Sequence, residues 1–202
     1  MNSASEKIGL ENSGNPIATL HMANGTKIVI ELLPESAPNT VNSFIYVASR
    51  GLMDHHAIQR IVPGNWVDVT YNSFGHKESQ YLIPNEFELN PGVKPLDSHP
   101  GCVCMGGYGE AGLAGCEFFF PLRDCPEHKG TYPVFGRVIE GMDEIYRLEK
   151  VETRPVDFPI EGVEVNEPLT PEIIERVELD LHGKTYPDPV RVENPEIPLC
   201  WK

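Results

Sequence analysis

The chain has 202 residues and a mass of 22.5 kDa, and its 30 acidic against 16 basic side chains give a net charge of −14 at pH 7. That length suits one domain around one sizeable core. The acidic field disfavours nucleic acid or an anionic membrane as partner, and no apolar run approaches the roughly 20 residues that a membrane-crossing helix needs.

The polar first fifteen residues lack the apolar stretch of a secretory signal. The five cysteines are odd in number, and Cys102 and Cys104 are too close for an easy disulfide within one strand, so a cytoplasmic protein with reduced thiols is expected. Nineteen prolines and eighteen glycines favour short strands joined by turns over long helices.

In chain order, residues 17–33 read as two strand-prone runs around Asn24-Gly25, a strong hairpin signal because both residues tolerate positive φ. Ser36 and Pro38 open a helix in which Val41, Phe44, Ile45, Val47 and Ala48 recur at helical spacing, and Gly51 stands where a left-handed C-cap belongs. His55 and His56 are placed in an exposed turn. Residues 57–69 return to strand, broken by a turn or bulge at Pro63-Gly64. Residues 72–101, polar and rich in turn formers, are expected to form a long surface connection. Strands are then expected at 101–105, 117–120 and 134–139, with a glycine-rich loop over 106–115 and a second helix over 142–150. After Arg154 the composition shifts to Pro and Glu, yet Ile174, Val177, Leu179 and Leu181 pick out a half-buried strand. The reading divides the chain into a domain over 15–183 and a proline-rich arm over 184–202 that ends near Trp201.

Arg60 lies inside the apolar run Ala57-Ile58-Gln59-Arg60-Ile61-Val62, where an arginine is either ion-paired across a sheet or aimed into a cleft. Phe119 suits core packing and a pocket wall about equally. His99, Cys102 and Cys104 have soft-ligand character, but a fourth ligand at zinc spacing is missing, so buried thiols and no metal are expected. Gly106-Gly107-Tyr108-Gly109 lacks the Lys-Ser/Thr of a phosphate loop. Nothing local lowers the pKa of Cys104 or Cys116 toward that of a nucleophile.

Ile58-Gln59-Arg60-Ile61-Val62-Pro63-Gly64 resembles the cyclophilin active-strand motif Phe-His-Arg-Val-Ile-Pro-Gly. Gly115-Cys116-Glu117-Phe118-Phe119 is similar to the family's Gly-Ser-Gln-Phe-Phe, and Val134-Phe135-Gly136 to its Val-Phe-Gly strand. The resemblance covers roughly residues 15–183. It implies a mainly β fold, a closed eight-stranded antiparallel barrel capped by two helices. It implies peptidyl-prolyl cis-trans isomerisation of proline-containing peptide or protein clients, with no cofactor. Resonance gives the X-Pro bond a barrier near ~20 kcal/mol, which a donor aimed at the twisting amide in a dry pocket can lower.

On this resemblance Arg60 is the polar catalyst, Trp66 and Phe119 wall the proline ring, and Gly106 and Gly107 offer backbone to the peptide. Tyr132 stands at the rim, at the family's usual histidine, and His128, in the same segment, is counted among the substrate-binding residues. The family continues after Pro-Gly as Phe-Met-x-Gln, where this chain has Asn65-Trp66-Val67-Asp68, so Asn65 replaces the floor phenylalanine and Asp68 the orienting amide. A carboxylate beside Arg60 is expected to pair with it, so a weak isomerase is expected. The alternative is a non-catalytic module that holds a proline-containing segment or another ligand in the same groove.

Overall fold

The computed structural model describes residues 14–202. Along them run β1 Ile17–Met22, β2 Lys27–Leu32, α1 Pro38–Ala48, β3 His56–Ala57, β4 Arg60–Val62, β5 Trp66–Asp68, β6 Leu82–Ile83 and α2 Glu86–Leu89. There follow β7 Cys102–Gly107, β8 Leu113–Pro121, β9 Val134–Glu140, α3 Met142–Leu148, β10 Thr153–Val156, β11 Val165–Pro168 and β12 Ile173–Asp180. Ten strands form one antiparallel sheet in the order β3-β12-β1-β2-β9-β7-β8-β5-β4, with β6 added to β8, while β10 and β11 pair separately.

The fold is mainly β, as expected, but the ladder is not an unbroken ring of eight strands. Its two ends, β3 and β4, are consecutive in the chain, separated by Ile58 and Gln59. At that gap the Gln59 side chain accepts from Tyr71 N at 3.0 Å and from Thr70 Oγ1 at 2.8 Å, so a side-chain bridge stands where ladder pairing lapses. The two expected helices are present as α1 and α3, and α2 adds a single turn.

The opening hairpin forms by a different device from the one its sequence suggests. Only Gly25 takes positive φ, at +87°. Asn24 instead accepts from Thr26 N at 2.9 Å and donates to Glu144 of α3 at 2.9 Å, which ties the turn to the helix. The start of α1 is also unusual. Pro38 occupies its first turn and Ala37 provides no side-chain cap. The free N–H groups of Asn39 and Thr40 donate to the fully buried Glu86 at 3.2 and 2.8 Å, so a carboxylate from a distant turn caps the helix and complements its dipole.

Glu86 lies in the stretch expected to be a surface connection, and that expectation fails. Residues 72–101 bury Phe74, Tyr81, Leu82 and Ile83, add β6 to the sheet, and sink Ser73, Ser79, Glu86 and Ser98 into the interior. The polar side chains that made the segment look exposed are satisfied inside, as in the Ser79 hydroxyl donating to the Ser73 carbonyl at 2.5 Å. The aromatic strand β8 is likewise longer than expected, and the glycine-rich segment narrows to a turn between β7 and β8. His55 is exposed, but His56 is in β3, edge-on to the Phe74 ring at 4.7 Å, and burial lowers its pKa to about 4.

Strand alternation divides the side chains between two faces. Ile61, Val67, Phe118, Phe120 and Phe135 join the main core with Phe44 of α1, whose ring lies 5.3 Å from Phe118 and 5.4 Å from Phe135. Phe119, Cys104 and Val134 belong to a separate cluster with Trp66 and Tyr132. Residues 184–202 lie against the sheet: Val192 N donates to the Leu82 carbonyl at 2.9 Å, the Arg191 guanidinium sits 3.8 Å from the Tyr81 ring centre, and Trp201 packs with Leu82 and Ala114.

Candidate active site

Register positions the site. Arg60 of β4 pairs with Asp68 of β5, Asp68 with Phe119 of β8, and Phe119 with Cys104 of β7. Directly opposed residues share a face, so these four side chains form one row across four strands, on the opposite face from Ile61, Val67 and Phe118. Within that row Arg60 Nη1 donates to Asp68 Oδ2 at 2.9 Å, the pairing expected from the sequence. Its Nε donates to the Glu164 carbonyl at 2.6 Å, and its guanidinium lies 5.5 Å from the Trp66 ring centre. The side chains of Arg60 and Asp68 are 14% and 16% exposed, so the pair is shielded but still faces an opening.

That opening is a cavity of about 490 Å³. Trp66, Phe119, His128 and Tyr132 form an aromatic box at its wall, with Phe119 to His128 at 5.5 Å, Phe119 to Tyr132 at 6.0 Å and Trp66 to Phe119 at 6.2 Å. Edge-on contacts of this kind hold the rings rigidly. Gly106 and Gly107 also line the cavity, and a Cβ at Gly106 would come within 2.9 Å of the Glu117 carbonyl, so bare backbone is required there. Trp66 Nε1 and His128 Nδ1 are buried with no hydrogen-bond partner among the described residues, an expense of about 1–3 kcal/mol each that packing alone does not require.

Two carboxylates give the cavity its electrostatics. Burial pushes the Asp68 carboxyl up to about 6, with Arg60 pulling the other way. Burial also pushes Glu117 up to about 7, although it accepts from Tyr108 Oη at 2.7 Å, Trp201 Nε1 at 2.6 Å and Ser73 Oγ at 3.1 Å. Both therefore change charge near neutral pH. Burial lowers the pKa of His128 and favours its neutral ring.

Of the residues singled out from the sequence, Arg60, Trp66, Asp68, Gly106, Gly107, Phe119, His128 and Tyr132 all border the cavity. Asn65 does not. It sits in the β4–β5 turn, where its side chain accepts from Arg123 Nε at 2.9 Å and its carbonyl accepts from Leu122 N, so the residue at the family's floor position is turned to a loop contact. Sequence reading missed Thr70, Tyr71, Tyr108 and Glu117, and on the far wall Phe158, Ile160 and Val163. The alternation of β8 was a usable signal for Glu117, which must share the face of Phe119. One set of possible metal ligands lies nearby: Cys125, Glu127 and His128 bring one ligand atom each within 4.8 Å of one another. The Glu127 carboxylate is engaged by Arg123 at 2.6 Å, and burial pushes the Cys125 thiol up.

A curled antiparallel sheet carrying an arginine beside an aromatic box on its outer face is the arrangement of a prolyl isomerase. The family of cyclophilin type peptidyl-prolyl cis-trans isomerases/CLD matches residues 17–168, and the chain belongs to it. The chain is 30% identical over 140 residues to peptidyl-prolyl cis-trans isomerase-like 1 of Gibberella zeae, covering 68% of this chain and 85% of that protein. It is 33% identical over 139 residues to the protein of the same name from Aspergillus fumigatus, covering 67% and 84%. A cyclophilin type isomerase of Cryptosporidium parvum, crystallised in the presence of the dipeptide Ala-Pro, superposes with a TM-score of 0.62 over 80% of this chain and 96% of that one; at 16% identity this demonstrates the shared fold.

Proposed function

We propose that the chain catalyses cis-trans isomerisation of X-Pro bonds in peptides or proteins, weakly, with Arg60 as the catalytic residue. The supporting observation is the guanidinium beside the aromatic box, held by Asp68 and the Glu164 carbonyl through Nη1 and Nε, while Nη2 has no partner among the described residues. Arginine carries five N–H donors in a fixed fork, so two anchored groups fix the orientation of the third. A proline ring seated against Phe119 and Trp66 brings its amide next to that donor. Donation to the amide as it twists favours the form with less double-bond character, and it requires no covalent step. The same anchors account for weakness, because Asp68 offsets much of the charge that a substrate would feel.

The test is an isomerase assay on a short X-Pro peptide. Arg60→Ala is expected to cut kcat/KM by on the order of 10²-fold, the usual loss when a preorganised donor is removed. An intact protein that binds the peptide yet leaves its exchange at the uncatalysed rate would make the groove a binding site only.

A further inference from the structure

The sheet builds one side of the cavity, and the segment joining β10 to β11 builds the other. Along residues 157–164, Phe158, Ile160 and Val163 are half-buried and line the cavity, whereas Asp157, Pro159, Glu161 and Glu164 between and beside them are exposed. This alternation gives the segment an apolar inner face and an acidic outer one. With β11 it is fastened at three points, one to Arg60 of the row and two to Tyr71. The Glu164 carbonyl accepts from Arg60 Nε at 2.6 Å, Glu167 accepts from Tyr71 Oη at 3.1 Å, and the Phe158 ring meets the Tyr71 ring edge-on at 4.9 Å. The hairpin is therefore a fixed wall, joined to the residue that acts on the substrate.

Space decides what this wall is for. A cavity of about 490 Å³ could take on the order of sixteen waters at roughly 30 Å³ each, far more than the five-membered ring of a proline fills. Proline occupies the end bounded by Phe119 and Trp66. The rest lies under three apolar side chains from the hairpin. An extended peptide advances at most about 3.6 Å per residue, so the neighbour of a bound proline falls within this remaining space. Asp68 and Glu117 lie on the wall opposite the hairpin, and the exposed carboxylates of Asp157, Glu161 and Glu164 stand on its outer face, so the local field penalises an acidic side chain there.

Building on the isomerase reading, we propose that Phe158, Ile160 and Val163 form a subsite for an aliphatic or aromatic side chain adjacent to the proline, so that the protein selects X-Pro sequences with an apolar neighbour and rejects acidic ones. The subsite belongs to the hairpin and is separate from the pocket for the proline ring.

The experiment uses the full chain and peptides in which each neighbour of a central proline is in turn Leu, Phe, Ala or Asp, with kcat/KM from the isomerase assay and Kd from chemical-shift titration. Intact protein is expected to favour Leu or Phe over Ala by about ten-fold at one neighbouring position, the discrimination that a few methylenes give in an apolar pocket, and Asp is expected to be the poorest. Phe158→Ser with Ile160→Ser should reduce that ratio to near one, whereas Phe158→Leu should keep most of it, a rescue that a folding defect would not show. Equal rates and affinities for all peptides with the intact protein would overturn the subsite, as would a double variant that weakens every peptide by the same factor. The two readings fail separately. Peptides isomerised without preference would leave Arg60 catalysis standing and remove the subsite. Peptides bound with preference but not isomerised would do the reverse.

Discussion

At the scale of single residues, the site turns on how strongly Asp68 holds Arg60. The two are opposed across β4 and β5 and meet at 2.9 Å, and Asp68 is buried enough for its carboxyl to titrate near 6. Below that pH the carboxyl is neutral and still accepts from the guanidinium, but it no longer offsets the positive charge, which is then available to a substrate amide. Isomerase kcat/KM is therefore expected to rise as pH falls through about 6, and Asp68→Gln is expected to raise it at pH 7.5 by five- to ten-fold, equivalent to about 1 kcal/mol. The variant should also lose the step near pH 6. Glu117, which titrates near 7 through burial and in smaller part through the Asp68 charge, should titrate somewhat lower in the variant, so the loss of the step near pH 6 is the readout specific to Asp68. Unchanged activity in Asp68→Gln would mean that the ion pair does not restrain catalysis. This pair was readable in advance, because the motif located Arg60 and its continuation put a carboxylate, Asp68, where the family has an orienting amide; in the structure the three-residue turn Pro63-Gly64-Asn65 sets the two opposite each other. The fate of Asn65 was not, because its partner Arg123 is 58 residues away and no local pattern links them.

At the scale of elements, strands and helices with a clear period were found within a few residues, and those built on long-range polar contacts were not. β1, β2, α1, β9, α3 and β12 each carry an apolar face that recurs at 2 or 3.6 residues. β6 and α2 lie in a stretch whose period is hidden by buried serines and Glu86, and β10–β11 is four residues a side with Pro155 and Pro168 inside its strands. Glu86 shows how much such a contact can carry. Fully buried, it serves two backbone N–H groups of α1, the Thr40 hydroxyl at 2.6 Å and the Asn90 amide at 2.7 Å. Glu86→Ala leaves the start of α1 unsatisfied in the interior and is expected to destabilise the protein by about 2–4 kcal/mol. Glu86→Gln should cost less because it keeps one acceptor. Urea unfolding midpoints compare the two, and a loss below about 1 kcal/mol for the alanine variant would show that α1 finds another cap.

At the scale of the whole molecule, the C-terminal arm and the cavity meet at Glu117. Trp201 reaches across 84 residues to donate to this carboxylate at 2.6 Å, and the Trp201 ring packs against Tyr108 at 5.7 Å, so the arm seals one flank of the site from water. Burial, to which this seal contributes, raises the Glu117 pKa from the ordinary 4.5 to about 7, while the hydrogen bonds from Tyr108 and Trp201 pull it the other way. A carboxyl raised on folding binds more protons in the native than in the unfolded state between those two values, so its contribution to stability is undiminished below about 4.5 and falls as pH rises through 7. Replacing it with a neutral amide of the same length removes that slope and leaves an oxygen to accept from Tyr108 and Trp201. Glu117→Gln is therefore expected to gain stability relative to the intact chain on going from pH 4.5 to pH 8, by on the order of 1–3 kcal/mol. Trp201→Ala opens the same flank to water, which lowers the Glu117 pKa, and removes a hydrogen bond that holds it down; burial is the larger cause, so the slope should still flatten in part, although the variant loses packing at every pH. Thermal melts at the two pH values measure both effects. If the intact protein and Glu117→Gln keep a constant difference in stability across that range, the arm does not isolate this carboxylate from solvent, and the acidic side of the cavity is wetter than its hydrogen bonds imply.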